Sequence, residues 1–197
     1  MDNTYVVKKN FEDAGEVIIE NFPWDKSGYR PRTLFKMYHD IKGFHLFFKS
    51  YETKIRAVNT QLNSRICEDS CMEFFFNPNP EKDDRYMNFE MNPNGTFLLG
   101  FGSERNGRIK IDDINIVEME IKAVVNDEFW SLEYIIPINF ITKYYGSIDF
   151  ISGHIMKGNI YKCGDKTDIP HYGCWNMINW EKPDFHRPEF FGNFIIE

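Results

Sequence analysis

Short runs in which apolar and polar residues alternate, separated by clusters of Gly, Pro, Asn and Asp, dominate the chain. Alternation with a period of two sends successive side chains to opposite faces of an extended backbone, so these runs predict half-buried strands. At 115–125, Val117, Met119, Ile121, Ala123 and Val125 point one way while Glu118, Glu120 and Lys122 point the other. After a turn at Asn126-Asp127, the residues Trp130, Leu132, Tyr134 and Ile136 repeat the alternation, and Pro137 ends it because proline cannot donate to a ladder. The two runs predict a hairpin. Further strands are predicted at 16–22, 33–39, 43–51, 70–76, 85–92, 96–102, 148–161 and 189–196, with one short helix around Ile138–Tyr145. Many strands, short turns and almost no helix predict an all-β fold, an antiparallel β-sandwich of jelly-roll or immunoglobulin-like type. No linker interrupts the 197 residues, so one domain is expected over 1–197.

Two strands carry candidate chemistry. In Tyr86-Met87-Asn88-Phe89-Glu90-Met91-Asn92, the methionines and Phe89 face the core, while Tyr86, Asn88, Glu90 and Asn92 share the other face. Amides and a carboxylate in a row suit a ligand made of hydroxyls. The same pattern also describes a plain solvent face. In Asp69-Ser70-Cys71-Met72-Glu73-Phe74-Phe75-Phe76, the side opposite the core carries Cys71, Glu73 and Phe75. Glu73 therefore sits among apolar neighbours in a strand that reads as central, and requires a partner, either a cation of the next strand or a ligand hydroxyl. Between His171 and Gly192, His171, Tyr172, Trp175, Trp180, Phe185, His186 and Arg187 form an aromatic, turn-rich stretch. Such rings either stack on the C–H face of a sugar or close the edge of a core.

Charge narrows the partners. A formal net charge of −7 opposes the phosphate attraction behind nucleic-acid binding, and Arg105 and Arg108 around Asn106-Gly107 read as a solvated turn. No apolar run approaches the roughly 18 residues of a membrane helix, so neither nucleic acid nor membrane is an expected partner. The start, Met1-Asp2-Asn3-Thr4-Tyr5, lacks the basic and apolar segments of a secretory leader. The expected compartment is the cytoplasm, or the exterior if a leader has been removed. Cys67, Cys71, Cys163 and Cys174 are too sparse for a disulfide framework and are expected reduced.

Over nearly its whole length the sequence resembles carbohydrate-binding module family 9. The resemblance rests on Trp24, on Tyr29-Arg30-Pro31-Arg32-Thr33, on the two strands above with Pro93-Asn94-Gly95, and on Trp130-Ser131-Leu132-Glu133-Tyr134-Ile135-Ile136-Pro137. Gly158-Asn159-Ile160-Tyr161-Lys162-Cys163-Gly164 and the closing Phe191-Gly192-Asn193-Phe194 complete it. It implies a β-sandwich related to the DOMON domains and non-catalytic binding of a plant polysaccharide or oligosaccharide in carbohydrate catabolism. Relatives appended to xylanases grip the ends of cellulose or xylan chains between two aromatic rings. The implied ligand-binding residues are Glu73, Asn88, Glu90, Asn92, Lys157 and Asn159, with one clamp ring at Phe185; from the aromatic stretch, His186 joins the candidates and Trp175 or Trp180 is the candidate substitute for a second ring. The second clamp ring falls on Ile66, which has no π-face, and Glu90 stands where the xylanase module has arginine, so the ligand need not be cellulose or xylan. The resemblance is closer to free-standing relatives than to appended modules, and it implies a carbohydrate ligand and, as a further partner, a glycoside hydrolase.

Three alternatives stay open. Glu73 and Glu90 on adjacent strands could form a hydrolytic pair. Met87, Met91, His154, Met156 and Lys157 offer haem ligands of the kind related folds use. For metals, no cofactor is certain: Cys163, His171 and Cys174 match no standard zinc spacing, and Asp83-Asp84 and Asp112-Asp113 are oxygen-rich turns suited to a structural calcium.

Overall fold

The computed structural model describes residues 3–52 and 54–197; Met1 and Asp2, part of the start read above for a leader, and Thr53 lie outside the described residues. Alternation has built two facing sheets. The larger runs in the order β1 (Thr4–Val7), β13 (Gly192–Ile196), β11 (Ile155–Cys163), β5 (Cys71–Asn77), β6 (Tyr86–Met91), β7 (Phe97–Gly102) and β8 (Ile109–Lys110), with β12 (Tyr172–Cys174) also paired to β11. The smaller contains β2 (Val17–Ile18), β3 (Thr33–His39), β4 (Gly43–Ser50), β10 (Trp130–Pro137) and β9 (Lys122–Val125). All pairings between these strands are antiparallel except β1 with β13, and an isolated parallel bridge joins Lys8 to Tyr38.

Between the sheets lies the main core. Met72, Phe74 and Phe76 of β5 and Met87, Phe89 and Met91 of β6 meet Phe35, Phe48 and Tyr134 from the smaller sheet. Phe74 stacks on Phe35 at 5.9 Å and Phe89 on Tyr134 at 6.2 Å. Each such buried side chain contributes on the order of 1.5–3 kcal/mol, which fixes the register of β5 and β6 and thereby which residues face outward. The single described α-helix, α1 (Ile138–Tyr145), follows Pro137 as expected and ends at Gly146, whose φ of 76° lets its N–H close on the Thr142 carbonyl.

The predicted run at 115–125 is only partly strand. Asn115 caps a turn by accepting from the Val117 amide, and Glu120 adopts a φ of 47°. Met119 drops into the core while Val117 stays 84% exposed, so the five apolar residues do not share a face. The segment 148–154 likewise precedes its strand.

A second apolar cluster covers the outer face of the larger sheet. Phe75, Tyr86, Tyr161, Cys71 and Cys163 project from β5, β6 and β11 and are closed over by Ile66, Ile178, Phe185 and Phe191. The outward face of β6 is therefore buried rather than solvated.

Candidate functional site

An open cavity of about 110 Å³ remains in that cover. Its floor comes from adjacent strands. Glu73 of β5 and Glu90 of β6 are register partners, directly opposite each other, and are 2% and 6% exposed. Burial raises both carboxyl pKa values, that of Glu90 to about 7, and the neighbouring Glu90 charge raises Glu73 further. The partner that Glu73 required is a thiol: Cys163 Sγ donates to Glu73 Oε1 at 2.8 Å. Glu90 Oε1 accepts from Asn88 Nδ2 at 2.9 Å, and Asn88 Oδ1 accepts from Arg108 Nε at 2.9 Å. Gly100, the register partner of Asn88, makes room for this, since a Cβ there would lie 2.4 Å from Asn88 Oδ1.

The walls come from two loops. The loop before β13 brings in Phe185, which lies flat on Tyr161 with centroids 4.1 Å apart and planes at 7°. Its neighbour Asp184 accepts from Arg105 Nη1 at 2.7 Å across the mouth. His186 shares a hydrogen bond with the Tyr86 hydroxyl at 2.9 Å, and burial beside Arg108 and Arg105 pushes its pKa down to about 3, keeping the ring neutral. The half-buried Tyr172, at the start of β12, stands edge-on to Phe185, and Cys67 and Asp165 also line the cavity. Past Tyr172 and Pro183 the surface continues into a second depression that includes Trp24.

Of the residues implied by the family resemblance, the structure brings Glu73, Glu90, Phe185 and His186 to the cavity, with Asn88 supporting Glu90. The other four lie elsewhere. Asn92 holds the turn after β6, accepting from the Asn94 and Thr96 amides and donating to Asp69 Oδ2 at 2.9 Å. Asn159 pairs through both amide atoms with the backbone of Asn176. Trp175 packs on Phe194 at 5.2 Å in the main core. Lys157 shares the outward face of β11 but sits farther along it, opposite Asn77.

Tyr172 belongs to the aromatic stretch that the sequence offers for stacking, whereas Tyr161, Arg105 and Asp184 reach the cavity without a sequence signal that marks them as site residues. Alternation puts Tyr161 and Cys163 on the Asn159 face, but only the β5–β11 register brings them to Glu73. Arg108 is no solvated turn residue. Its guanidinium lies 4.1 Å over the Tyr86 ring and donates to the Tyr86 carbonyl at 2.7 Å.

The other candidate ligand sets are dispersed or engaged. Met87, Met91 and Met156 fill the main core, and His154 Nε2 bonds the Pro78 carbonyl. His171 bonds Lys162 Nζ and the Ile169 carbonyl rather than meeting Cys163 and Cys174. Asp83 is taken up by Arg85, and Asp113 by Lys143 and Tyr144, in the turns that suit a calcium ion by composition.

Comparison with known proteins adds the lineage. The sequence profile of carbohydrate-binding family 9 matches residues 6–196. No curated protein sequence matches the chain. Among solved structures, a candidate carbohydrate-binding protein from Bacteroides uniformis is 30% identical, with both chains covered in full and a TM-score of 0.86. A family 9 module from Caldicellulosiruptor kristjanssonii in complex with cellotriose is 12% identical, with 99% of this chain and 94% of that one covered and a TM-score of 0.69. The module from the same organism with glucose bound is also 12% identical, with 99% and 96% covered and a TM-score of 0.69. At that identity the two modules share the fold.

Proposed function

Since the chain belongs to carbohydrate-binding family 9, we propose that the cavity over β5, β6 and β11 holds one sugar ring and binds it without turnover. The observation that carries this reading is the meeting of Tyr172 with Glu73, Glu90 and Arg105 around one small opening. An aromatic ring offers a surface to the C–H face of a pyranose, while carboxyl and guanidinium groups exchange hydrogen bonds with its hydroxyls. The continuation past Tyr172 toward Trp24 gives a longer oligosaccharide its direction. The glucose and cellotriose bound by the Caldicellulosiruptor modules make a glucose-type ring the first ligand to test.

Binding without hydrolysis follows from where the carboxyls stand. Glycosidases place an acid and a second carboxylate on opposite sides of the scissile bond. Glu73 and Glu90 instead stand side by side on the floor and meet a ligand from the same side. Calorimetric titration with glucose and cello- and xylo-oligosaccharides, alongside a reducing-sugar assay, tests this. Heat of binding with no release of reducing ends is expected; cleavage by the parent and not by Glu73→Gln contradicts it.

A further inference from the structure

Three of the chain's four cysteines gather around this floor, a composition that hydrogen bonding to hydroxyls does not call for. Cys71 opens β5 and Cys163 closes β11, and the register sets them directly opposite each other. The two-residue period puts Glu73 on the Cys71 face, and since Glu73 pairs with Tyr161, it lies diagonal to Cys163. One donor atom from each of Cys71, Glu73 and Cys163 lies within 4.8 Å of the others. Among the described residues no other set of His, Cys, Asp or Glu meets that condition. The three side chains are 0%, 2% and 1% exposed.

Two observations set this cluster apart from cysteines used as small core residues. A carboxyl group occupies its centre, held by the Cys163 thiol at 2.8 Å, where packing alone would favour an aliphatic side chain. All three donors stand on neighbouring central strands whose register the core fixes, so their separation is preset. Tetrahedral zinc, with bonds of about 2.3 Å to sulfur and 2.0–2.2 Å to oxygen, needs donors roughly 3.5–4 Å apart; no two donors lie beyond 4.8 Å, and the ion would part Cys163 from Glu73, now at 2.8 Å, as it replaces the thiol proton between them.

We propose that Cys71, Glu73 and Cys163 form a three-donor site for one zinc-type cation, with the fourth coordination position turned toward the cavity. Two sulfurs and one oxygen favour zinc, or cobalt(II) as its spectroscopic stand-in, over calcium or magnesium, which take oxygen alone. Binding replaces the thiol protons of Cys71 and Cys163, and any proton on Glu73, with metal bonds and releases those protons to solvent, with no change in redox state. Cys163 and Glu73 both line the cavity, so the open position faces Cys67, Glu90, Asp165 or an entering ligand. The site goes beyond the sugar-binding reading and does not depend on it.

The test uses the full chain, kept reduced, stripped with chelator and titrated with cobalt(II) alone, then with zinc. One equivalent is expected, with thiolate-to-cobalt charge-transfer absorption that zinc displaces. Cys71→Ser and Cys163→Ser abolish that absorption, Glu73→Gln weakens uptake at least tenfold, and Cys174→Ser leaves it unchanged. A reduced, folded parent that shows no charge-transfer band overturns the proposal, as does a band that survives in the Cys71→Ser/Cys163→Ser double variant. If the serine variants do not fold, the parent and Cys174→Ser spectra decide. Sugar binding without metal uptake sinks this proposal alone; metal uptake without sugar binding sinks only the earlier one.

Discussion

Phe185 lies flat on Tyr161, centroids 4.1 Å apart, so one face of its ring is covered by its neighbour. Phe185 is 9% exposed, and the Tyr161 hydroxyl donates to its carbonyl at 3.1 Å. Of the two rings, the half-buried Tyr172 is the more exposed to the cavity.

The two rings should therefore separate on mutation. Phe185→Ala opens the second apolar cluster and should cost about 3 kcal/mol of stability, the low end for a buried phenylalanine. Tyr172→Ala should lower sugar affinity at least tenfold while costing less stability than Phe185→Ala. Chemical denaturation and calorimetry on both variants check this.

Removing the charge of Glu90 while keeping its hydrogen bond should stabilise the fold. Glu90→Gln retains an oxygen to accept from Asn88 and takes one of two facing buried carboxylates out of the floor. Burial disfavours the charged form of Glu90, and a gain on the order of 1 kcal/mol at pH 8 is expected. A lower melting temperature for Glu90→Gln at that pH would count against the arrangement.

On the inner side of β11, Lys162 is fully buried and meets Glu52 Oε2 at 3.0 Å, with Trp130 Nε1 donating to the same oxygen at 3.1 Å. Lys162→Met strands Glu52 in the interior and should cost about 3–5 kcal/mol. The double variant Glu52→Gln/Lys162→Met should regain part of that loss, as read from urea denaturation.

His171 should make the fold acid-sensitive. It faces Lys162 Nζ at 2.7 Å, Glu52, the Ile169 carbonyl and the Tyr29 ring, and burial together with the Lys162 charge pushes its pKa down to about 4. An unfolded chain protonates this imidazole near pH 6.5, whereas the folded one does so only near 4. Stability is therefore lost as pH falls from 6.5 to 4, by on the order of 2–3 kcal/mol. The buried carboxyls act in the opposite sense, so the comparison is between the parent and His171→Gln, whose stability should fall less over that range.

Much of the fold was legible because alternation reports burial directly. β3 and α1 came out with their observed bounds, and Met87, Phe89 and Met91 took the core side as expected. β1 and β8 escaped notice because they are short edge strands, and Glu120's left-handed backbone broke a run whose pattern looked continuous. The site was less legible for a different reason. Periodicity tells which side of its own strand Glu73 occupies, but not that Cys163 and Glu90 flank it, which depends on register between distant segments. Residue type also misleads: Trp175 and Asn159 look like sugar-binding groups, and each is consumed in holding the loop after β12.

Titration calorimetry with glucose and cello-oligosaccharides, on the parent and on Tyr172→Ala, tests the central claim most directly. Saturable one-site binding by the parent, weakened at least tenfold in a Tyr172→Ala protein that remains folded, is the predicted result. Absence of binding by the parent to these and to a broad glycan panel, or equal affinity in the two proteins, would contradict the assignment of the cavity.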